Sequence, residues 1–117
     1  MQFDSLDFYR EHAQRYSQLS HEYTHSVYTG SCHPALNGDM DLLNRAAGLA
    51  VGKQVLDAGC GAGARDVYQL FTWGFDAFGI DAVEENINLG KELHPEIADK
   101  LSVADLREPL AFETGFF

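Results

Sequence analysis

Three glycines stand at alternate positions, Gly59, Gly61 and Gly63, and the first of them follows Asp57 by two residues. Glycine allows a sharp turn and a close approach of a ligand, although it costs roughly 0.5–1 kcal/mol relative to alanine in regular structure. Residues 59–64 read Gly-Cys-Gly-Ala-Gly-Ala and satisfy G-x-G-x-x-G/A, a pattern of nucleotide-binding turns between a strand and a helix. Asp57 would repel a pyrophosphate at this turn, but it suits a ligand that carries an ammonium group.

Two further aspartates follow predicted strands. Asp81 lies 22 positions after Gly59, close to the roughly 20 expected for a carboxylate that accepts both hydroxyls of a ribose. Alternatively, Asp81 caps the next helix together with Glu84. Asp105 follows the third strand, where simple strand-end polarity is the alternative to ligand binding. Because parallel strands end at one edge of a sheet, we expect all three aspartates to face a common crevice.

The elements that position these residues alternate between strands and helices. Residues 54–56 predict a strand buried on both faces, and a helix with an apolar face begins at residue 64. Further segments predict strands over residues 75–80 and 101–104, with a helix over 82–94 between them that Pro95 ends. Two helices, over residues 4–23 and near 40–50, precede the first strand and are separated by a loop. The sequence therefore predicts an α/β domain with N-terminal helices.

Residues 55–63, Val-Leu-Asp-Ala-Gly-Cys-Gly-Ala-Gly, closely resemble the first motif of the class I S-adenosylmethionine-dependent methyltransferases. The resemblance implies a Rossmann-like, three-layer α/β/α fold. It also implies that the turn lies under the methionyl group, that Asp57 orients the turn or the ammonium, and that Asp81 takes the ribose. The carboxylate of Asp105 would take the adenine amino group while its neighbour packs on the ring. The cofactor-binding residues that the resemblance implies are Tyr16, Asp57, Gly59, Cys60, Gly61, Gly63, Asp81, Ala82, Asp105 and Leu106.

The segment over residues 8–16 resembles the F-x-x-x-A-x-x-Y helix of small-molecule methyltransferases, which closes over the cofactor. The resemblance places Tyr16 near the methionyl end, whereas ordinary amphipathic packing is the alternative role. We therefore divide the chain into an N-terminal helical lid segment, residues 1–52, and the N-terminal half of a cofactor-binding domain, residues 53–117.

The resemblance covers only the front half of a full methyltransferase domain. We expect a fold truncated before strand 4, without the loop that usually carries substrate and catalytic groups, so no catalytic residue is assigned and enzymatic activity is left open. The first strand would then be an edge strand with an unpaired apolar face. A second copy of the chain, a separate complementing chain or the N-terminal helices could cover it, and we expect a homodimer. A gene fragment is the alternative explanation.

Residues 21–25, His-Glu-Tyr-Thr-His, formally match the H-E-x-x-H pattern of helical zinc sites. The extended pattern would need glycine at position 28 and histidine at position 31, where the sequence has Tyr28 and Ser31. Cys32 and His33 match no known zinc spacing. The segment therefore predicts a polar helix end, and we expect no metal, with zinc at His21 and His25 as the alternative.

The composition of the chain indicates which classes of binding partner are disfavoured. The chain has 117 residues and a formal net charge of −10, which opposes nonspecific binding to nucleic acid or anionic lipid. There is no apolar run of membrane-spanning length and no signal-peptide pattern, so we expect a cytoplasmic protein without a membrane partner. With only Cys32 and Cys60, a structural disulfide is not expected.

The leading hypothesis is methyl transfer from S-adenosylmethionine to a small-molecule acceptor, with S-adenosylhomocysteine as the product. A noncatalytic module that binds the cofactor or dimerises is the first alternative. A fragment that binds an NAD-type dinucleotide is a further alternative, and Asp57 disfavours it.

Overall fold

A computed structural model of the chain describes residues 5–12 and 37–117. Along the chain, the described elements are α1 (Ser5–Glu11), α2 (Asn37–Leu49), β1 (Gln54–Ala58), α3 (Arg65–Thr72), β2 (Asp76–Asp81), α4 (Glu84–Leu93), a 3₁₀-helix (Pro95–Lys100) and β3 (Leu101–Val103).

The three strands form one parallel sheet in the order β1-β2-β3. Gln54 pairs with Asp76 at the start of β1, and Gly79 of β2 pairs with Leu101 of β3. Each connection between paired strands contains a helix, as parallel pairing requires. The three predicted strands are confirmed, and the described residues form a small α/β domain with an architecture compatible with a Rossmann-like fold.

The burial of β1 differs from the sequence prediction. Its three central residues are only half-buried and its two end residues are exposed, so the prediction of a strand buried on both faces is wrong. The reason is its position: within residues 5–12 and 37–117, β1 pairs with β2 alone and lies at the edge of the sheet. Leu43 and Ala47 of α2 pack against the core beside it, together with Val55.

The end of α3 explains why β2 begins one residue later than predicted. The N–H of Gly74 donates to the carbonyl of Phe71, and the N–H of Phe75 donates to that of Leu70, both at 3.0 Å. Gly74 has a φ of 91°. This pair of bonds is a Schellman motif, which satisfies the last carbonyls of a helix and favours glycine at the left-handed position. Phe75 therefore belongs to the helix cap, and the strand starts at Asp76.

The core lies between the sheet and the helices that follow its strands. Val67 of α3 and Ile87 of α4 are almost completely buried, and both belong to the main apolar cluster. Gly79 of β2 lies so close to this layer that a Cβ there would stand 2.8 Å from the side chains of both Val67 and Leu101. Two residues of α4 and its two cap residues are buried on this side: Val83, Ile87, Gly90 and His94.

Phe78 lies between Ala77 and Gly79 on β2, and alternation along a strand directs its side chain to the opposite face. Its ring contacts three phenylalanines of the C-terminal segment, Phe112, Phe116 and Phe117, with centroid distances of 5.5–5.8 Å. The ammonium of Lys100 lies 4.5 Å from the Phe78 ring centroid and 3.0 Å from a carboxylate oxygen of Asp76. The C-terminal segment thus covers part of this face of the sheet.

Several predictions concern residues outside the described ranges. These are the helix beyond residue 12, the role of Tyr16, the zinc alternative at His21 and His25, and Cys32 with His33. Helix α2 begins at Asn37, three residues earlier than predicted, and ends at Leu49. Among the helices that the structure describes, none has the length and apolar character that crossing a membrane requires.

Candidate functional site

The glycine turn after β1 consists of residues with left-handed backbone geometry. Gly59, Gly61 and Gly63 have φ values of 85°, 74° and 86°, and Ala64 has a φ of 49°. Side chains with a Cβ rarely adopt such angles, which explains why glycine occupies every second position here. The N–H groups of Gly59 and Cys60 both donate to the carbonyl of Ile80, at 2.8 and 2.9 Å. The turn is therefore attached to β2 before α3 begins.

Asp81, the last residue of β2, connects this turn to the start of α4. Its Oδ2 accepts a hydrogen bond from the Gly61 N–H at 3.0 Å, and its Oδ1 accepts bonds from the Val83 N–H at 2.9 Å and the Asn86 amide at 3.3 Å. The bond to Val83 closes a turn before α4, whose N-cap residue is Val83 and has no side-chain capping bond, so Asp81 does not cap this helix as the alternative from the sequence expected. A carboxylate has about four acceptor positions, and the described residues use three of those on Asp81. One position is left for a ribose hydroxyl, so these bonds are compatible with the predicted ribose-binding role.

Asp57 is half-buried in β1 close to other acidic groups. Burial first, and then the negative charges of Asp66 and Asp81, raise the pKa of Asp57 from 3.8 to about 6, although the Arg65 guanidinium opposes this shift. Arg65 itself lies 3.6 Å from a carboxylate oxygen of Asp66. A carboxylate that is costly to ionise gains from a cationic partner, so this end of the site favours a positively charged group.

Asp105 is held by Arg107 in four hydrogen bonds. Oδ1 accepts from the Arg107 backbone N–H at 2.9 Å and from Nε at 3.0 Å, while Oδ2 accepts from Nε at 3.1 Å and from Nη2 at 2.7 Å. These hydrogen bonds, from the side chain first and then the backbone, lower the pKa of Asp105 to about 2. The carboxylate is therefore ionised at neutral pH and already paired.

Cys60 is a free thiol within the glycine turn and is 8 % exposed. Burial, together with the negative charges of Asp57 and Asp81, raises the pKa of the Cys60 thiol far above its usual range. Thiol reactivity depends on the thiolate form, which burial disfavours, and Cys60 packs in the main apolar cluster.

One pocket of about 720 Å³ brings most of the predicted residues together at the carboxyl ends of the strands. Asp57, Asp81 and Asp105 all line it, as do the following predicted residues: Gly59, Cys60, Gly61, Ala82 and Leu106. Gly63 is buried behind the turn, where a Cβ on Gly90 would stand 3.6 Å from its carbonyl carbon. Gly63 is not among the lining residues, and the cofactor contacts of all the predicted residues stay predictions.

Sequence reasoning missed several residues that line the same pocket. Arg65 and Asp66 follow the glycine turn directly, and Arg107 follows Asp105 by two residues. Helix α1 contributes Ser5, Leu6 and Tyr9, while its described residues include none that is buried. Arg65 and Arg107 could have been predicted as lining residues, because each lies within a few residues of the glycine turn or of a predicted strand end. For α1 the sequence directed attention to Tyr16, seven residues further along.

A second pocket of about 580 Å³ lies between α2 and the outer edge of β1. Its lining is mainly apolar and includes Leu43 and Ala47 of α2, Val55 and Leu56 of β1, and Phe117. Helix α2 therefore flanks the edge strand and leaves a gap beside it.

Within the described ranges, no three histidine, cysteine, aspartate or glutamate residues are grouped so that they could hold a metal ion.

No family model matches the sequence, and no curated protein matches it. Among solved structures, the chain is similar to WbdD in its co-crystal structure with the kinase inhibitor LY294002, with a TM-score of 0.42 and 30 % sequence identity. The alignment covers 68 % of this chain and 19 % of the WbdD chain, so the chain spans about a fifth of the length of that protein.

Proposed function

We propose that the pocket at the carboxyl ends of the strands binds S-adenosylmethionine. On this proposal the chain is the cofactor-binding part of a methyltransferase fold that acts on a small-molecule acceptor. The observation that carries the proposal is the convergence of Asp57, Asp81, Asp105 and the glycine turn on one pocket. Ligands of open parallel sheets bind in this crevice, and the pocket volume is within the usual range for small-molecule sites.

At the β1 end of the pocket, the side chains have charges that suit an amino acid. Asp57 would accept the ammonium of the methionyl group, and Arg65, which also lines the pocket, would face its carboxylate. Burial and acidic neighbours raise the pKa of Asp57 to about 6, so an adjacent ammonium would stabilise the ionised form of this carboxyl group.

At the opposite end, the side chains suit a nucleoside. From residues 5–12 and 37–117, the Asp81 Oδ2 atom accepts one hydrogen bond, and it retains acceptor capacity for a ribose hydroxyl. Leu106 is 59 % exposed beside Asp105 and offers an apolar surface to a purine ring. The Asp105 carboxylate would accept the adenine amino group.

Charge supports S-adenosylmethionine over an NAD-type dinucleotide. Among the described lining residues, the aspartates outnumber the arginines four to two: Asp57, Asp66, Asp81 and Asp105 against Arg65 and Arg107. A net negative pocket attracts a sulfonium cation and repels a diphosphate. The sulfonium is already an activated electrophile, so the protein has mainly to align it with the acceptor.

The exposed edge of β1 supports a second candidate, a noncatalytic module that binds the cofactor and associates through this edge. Within the described residues β1 pairs on one side only, and half-buried Val55 and Leu56 stand beside the second pocket. An unpaired strand edge is a template for another chain. Light scattering at micromolar concentration would detect a homodimer, and a monomer at that concentration would contradict it.

Calorimetry with S-adenosylhomocysteine tests the main proposal. We expect saturable binding, and weaker binding or none for NAD under the same conditions. Asp81→Asn should weaken S-adenosylhomocysteine binding about tenfold, because one charged acceptor for the ribose is lost. Asp76→Asn is the matched control, since Asp76 begins the same strand, pairs with Lys100 and lies outside the pocket lining. No binding by the folded wild-type chain at millimolar ligand, or tighter binding of NAD, would contradict the proposal.

A further inference from the structure

The contact between Arg107 and Asp105 occupies the acceptor positions that a base would need. A carboxylate has about four lone-pair positions. The Arg107 backbone N–H, its Nε to both oxygens and its Nη2 supply four contacts, at 2.7–3.1 Å. An amino group that approaches Asp105 in the pocket must therefore displace a donor that is already present.

The guanidinium is the displaceable donor. The Arg107 side chain is 73 % exposed, whereas that of Asp105 is 33 % exposed. Because the pair is largely exposed, water can solvate both partners when the guanidinium moves away from Asp105. The backbone hydrogen bond from residue 107 does not depend on its side chain and keeps Asp105 oriented when the guanidinium moves away.

We propose that Arg107 is a gate at the nucleoside end of the pocket, which must release Asp105 before that carboxylate can accept the exocyclic amino group of a base. The inference rests on the proposed function, since it needs an adenine-containing ligand. Arg107 then lowers the affinity for ligands that present an amino group to Asp105, because this neutral donor must replace a charged one.

A gate of this kind reduces the apparent affinity by the fraction of molecules in which it is open. For an exposed ion pair, we expect this fraction to reduce the apparent affinity for the ligand about two- to fivefold. Arg107→Met keeps the length and apolar stem of the side chain and removes its donors. We therefore expect Arg107→Met to bind S-adenosylhomocysteine about two- to fivefold more tightly than the wild type.

Two further measurements separate a gate from a general change in structure. The same gain should appear with 5′-methylthioadenosine, which lacks the amino-acid group, because the gate acts at the nucleoside end. Salt weakens an exposed ion pair, so the ratio of the two affinities should approach one as the sodium chloride concentration rises. Arg45→Met is the control variant, since Arg45 forms a similarly exposed ion pair with Asp41 on α2 and lies outside this pocket.

Isothermal titration of wild type, Arg107→Met and Arg45→Met, each with its unfolding temperature measured, distinguishes the outcomes. Tighter binding by Arg107→Met alone, with a ratio that falls in salt, supports the gate. Equal binding by all three proteins overturns the gate and leaves the proposed function in place. Weaker binding by a folded Arg107→Met also overturns the gate, because Arg107 would then contact the ligand directly. No binding by any of them overturns both the gate and the proposed function.

Discussion

The Oδ2 atom of Asp81 accepts a hydrogen bond from the Gly61 N–H at 3.0 Å, which joins the end of β2 to the glycine turn after β1. The two residues are 20 positions apart in sequence, and both line the main pocket. One carboxylate therefore shapes the turn and faces the candidate ligand at the same time.

Asp81→Asn should destabilise the fold. The amide of asparagine has one acceptor oxygen, so either the Gly61 N–H or the donors at Val83 and Asn86 would face an NH₂ group. We expect the free energy of unfolding to fall by about 1–2 kcal/mol, measured by urea denaturation. Asp76→Asn, which removes only the partly exposed pair with Lys100, should cost less than about 1 kcal/mol. Equal losses would contradict a specific role for Asp81 in the turn.

Asp57→Asn should stabilise the free protein at pH 7.5. The pKa of Asp57 is raised from 3.8 to about 6, so the folded state binds more protons than the unfolded state between these values. The contribution of Asp57 to the free energy of unfolding therefore falls as the pH rises from about 4 to 6, and this contribution stays low above pH 6. We expect a gain on the order of 1 kcal/mol at pH 7.5, with a much smaller effect at pH 4, from urea denaturation at both pH values. A loss of stability at pH 7.5 would contradict this.

Ligand binding should show the opposite pH dependence at the same residue. An ammonium group on the ligand needs ionised Asp57, and about one tenth of the carboxyl groups are ionised one pH unit below a pKa of about 6. S-adenosylhomocysteine should therefore bind up to about tenfold more weakly at pH 5 than at pH 7.5. The corresponding titrations of Asp57→Asn should give a flat profile in this range, and a parallel decline in the variant would assign the effect elsewhere.

His94 should make the fold sensitive to acid. It is completely buried and stacked on Tyr68 at a centroid distance of 4.0 Å, and within the described residues neither ring nitrogen has a hydrogen-bond partner. Burial lowers the pKa of His94 below 6.5, although Glu96 opposes the shift. The unfolded state then binds the proton first, so stability is full above pH 6.5 and declines as the pH falls below that value.

His94→Phe tests this assignment, because phenylalanine retains an aromatic ring beside Tyr68 and cannot be protonated. Unfolding temperatures between pH 7.5 and pH 5 should decline less in the variant than in the wild type, whatever the absolute stability of the variant. An unchanged slope would show that other groups cause the acid sensitivity.

Gly79→Ala should be strongly unfavourable because β2 lies close to α3 and β3. A Cβ at residue 79 would stand 2.8 Å from Val67 Cγ2 and 2.8 Å from Leu101 Cδ2, so both neighbours must shift. We expect a loss of about 1–3 kcal/mol in urea denaturation. Gly48→Ala is the control: residue 48 lies in α2 with no described atom within 4 Å of its Cβ position. There alanine should be neutral or stabilise the helix by up to about 1 kcal/mol.

The sequence alone was sufficient for features that depend on local conformation and chain order. Alternate glycines predicted a sharp turn after the first strand, and Gly59, Gly61 and Gly63 form one there, with positive φ values. Aspartates at successive strand ends predicted a shared crevice, because parallel strands end at the same edge, and all three line one pocket. The backbone preferences of glycine and the alternation of strands and helices depend on short stretches of sequence. Both features can therefore be predicted without a structure.

Only the tertiary structure decided which partners those carboxylates have. The donors at Gly61 and Arg107, the burial that raises the pKa of Asp57 to about 6 and the exposure of β1 all depend on groups brought together by folding. Hydrogen bonding and desolvation act over a few ångströms in space, whatever the separation along the chain. Residue types and spacing therefore predicted where the aspartates lie, whereas their protonation and availability to a ligand follow from the packing around them.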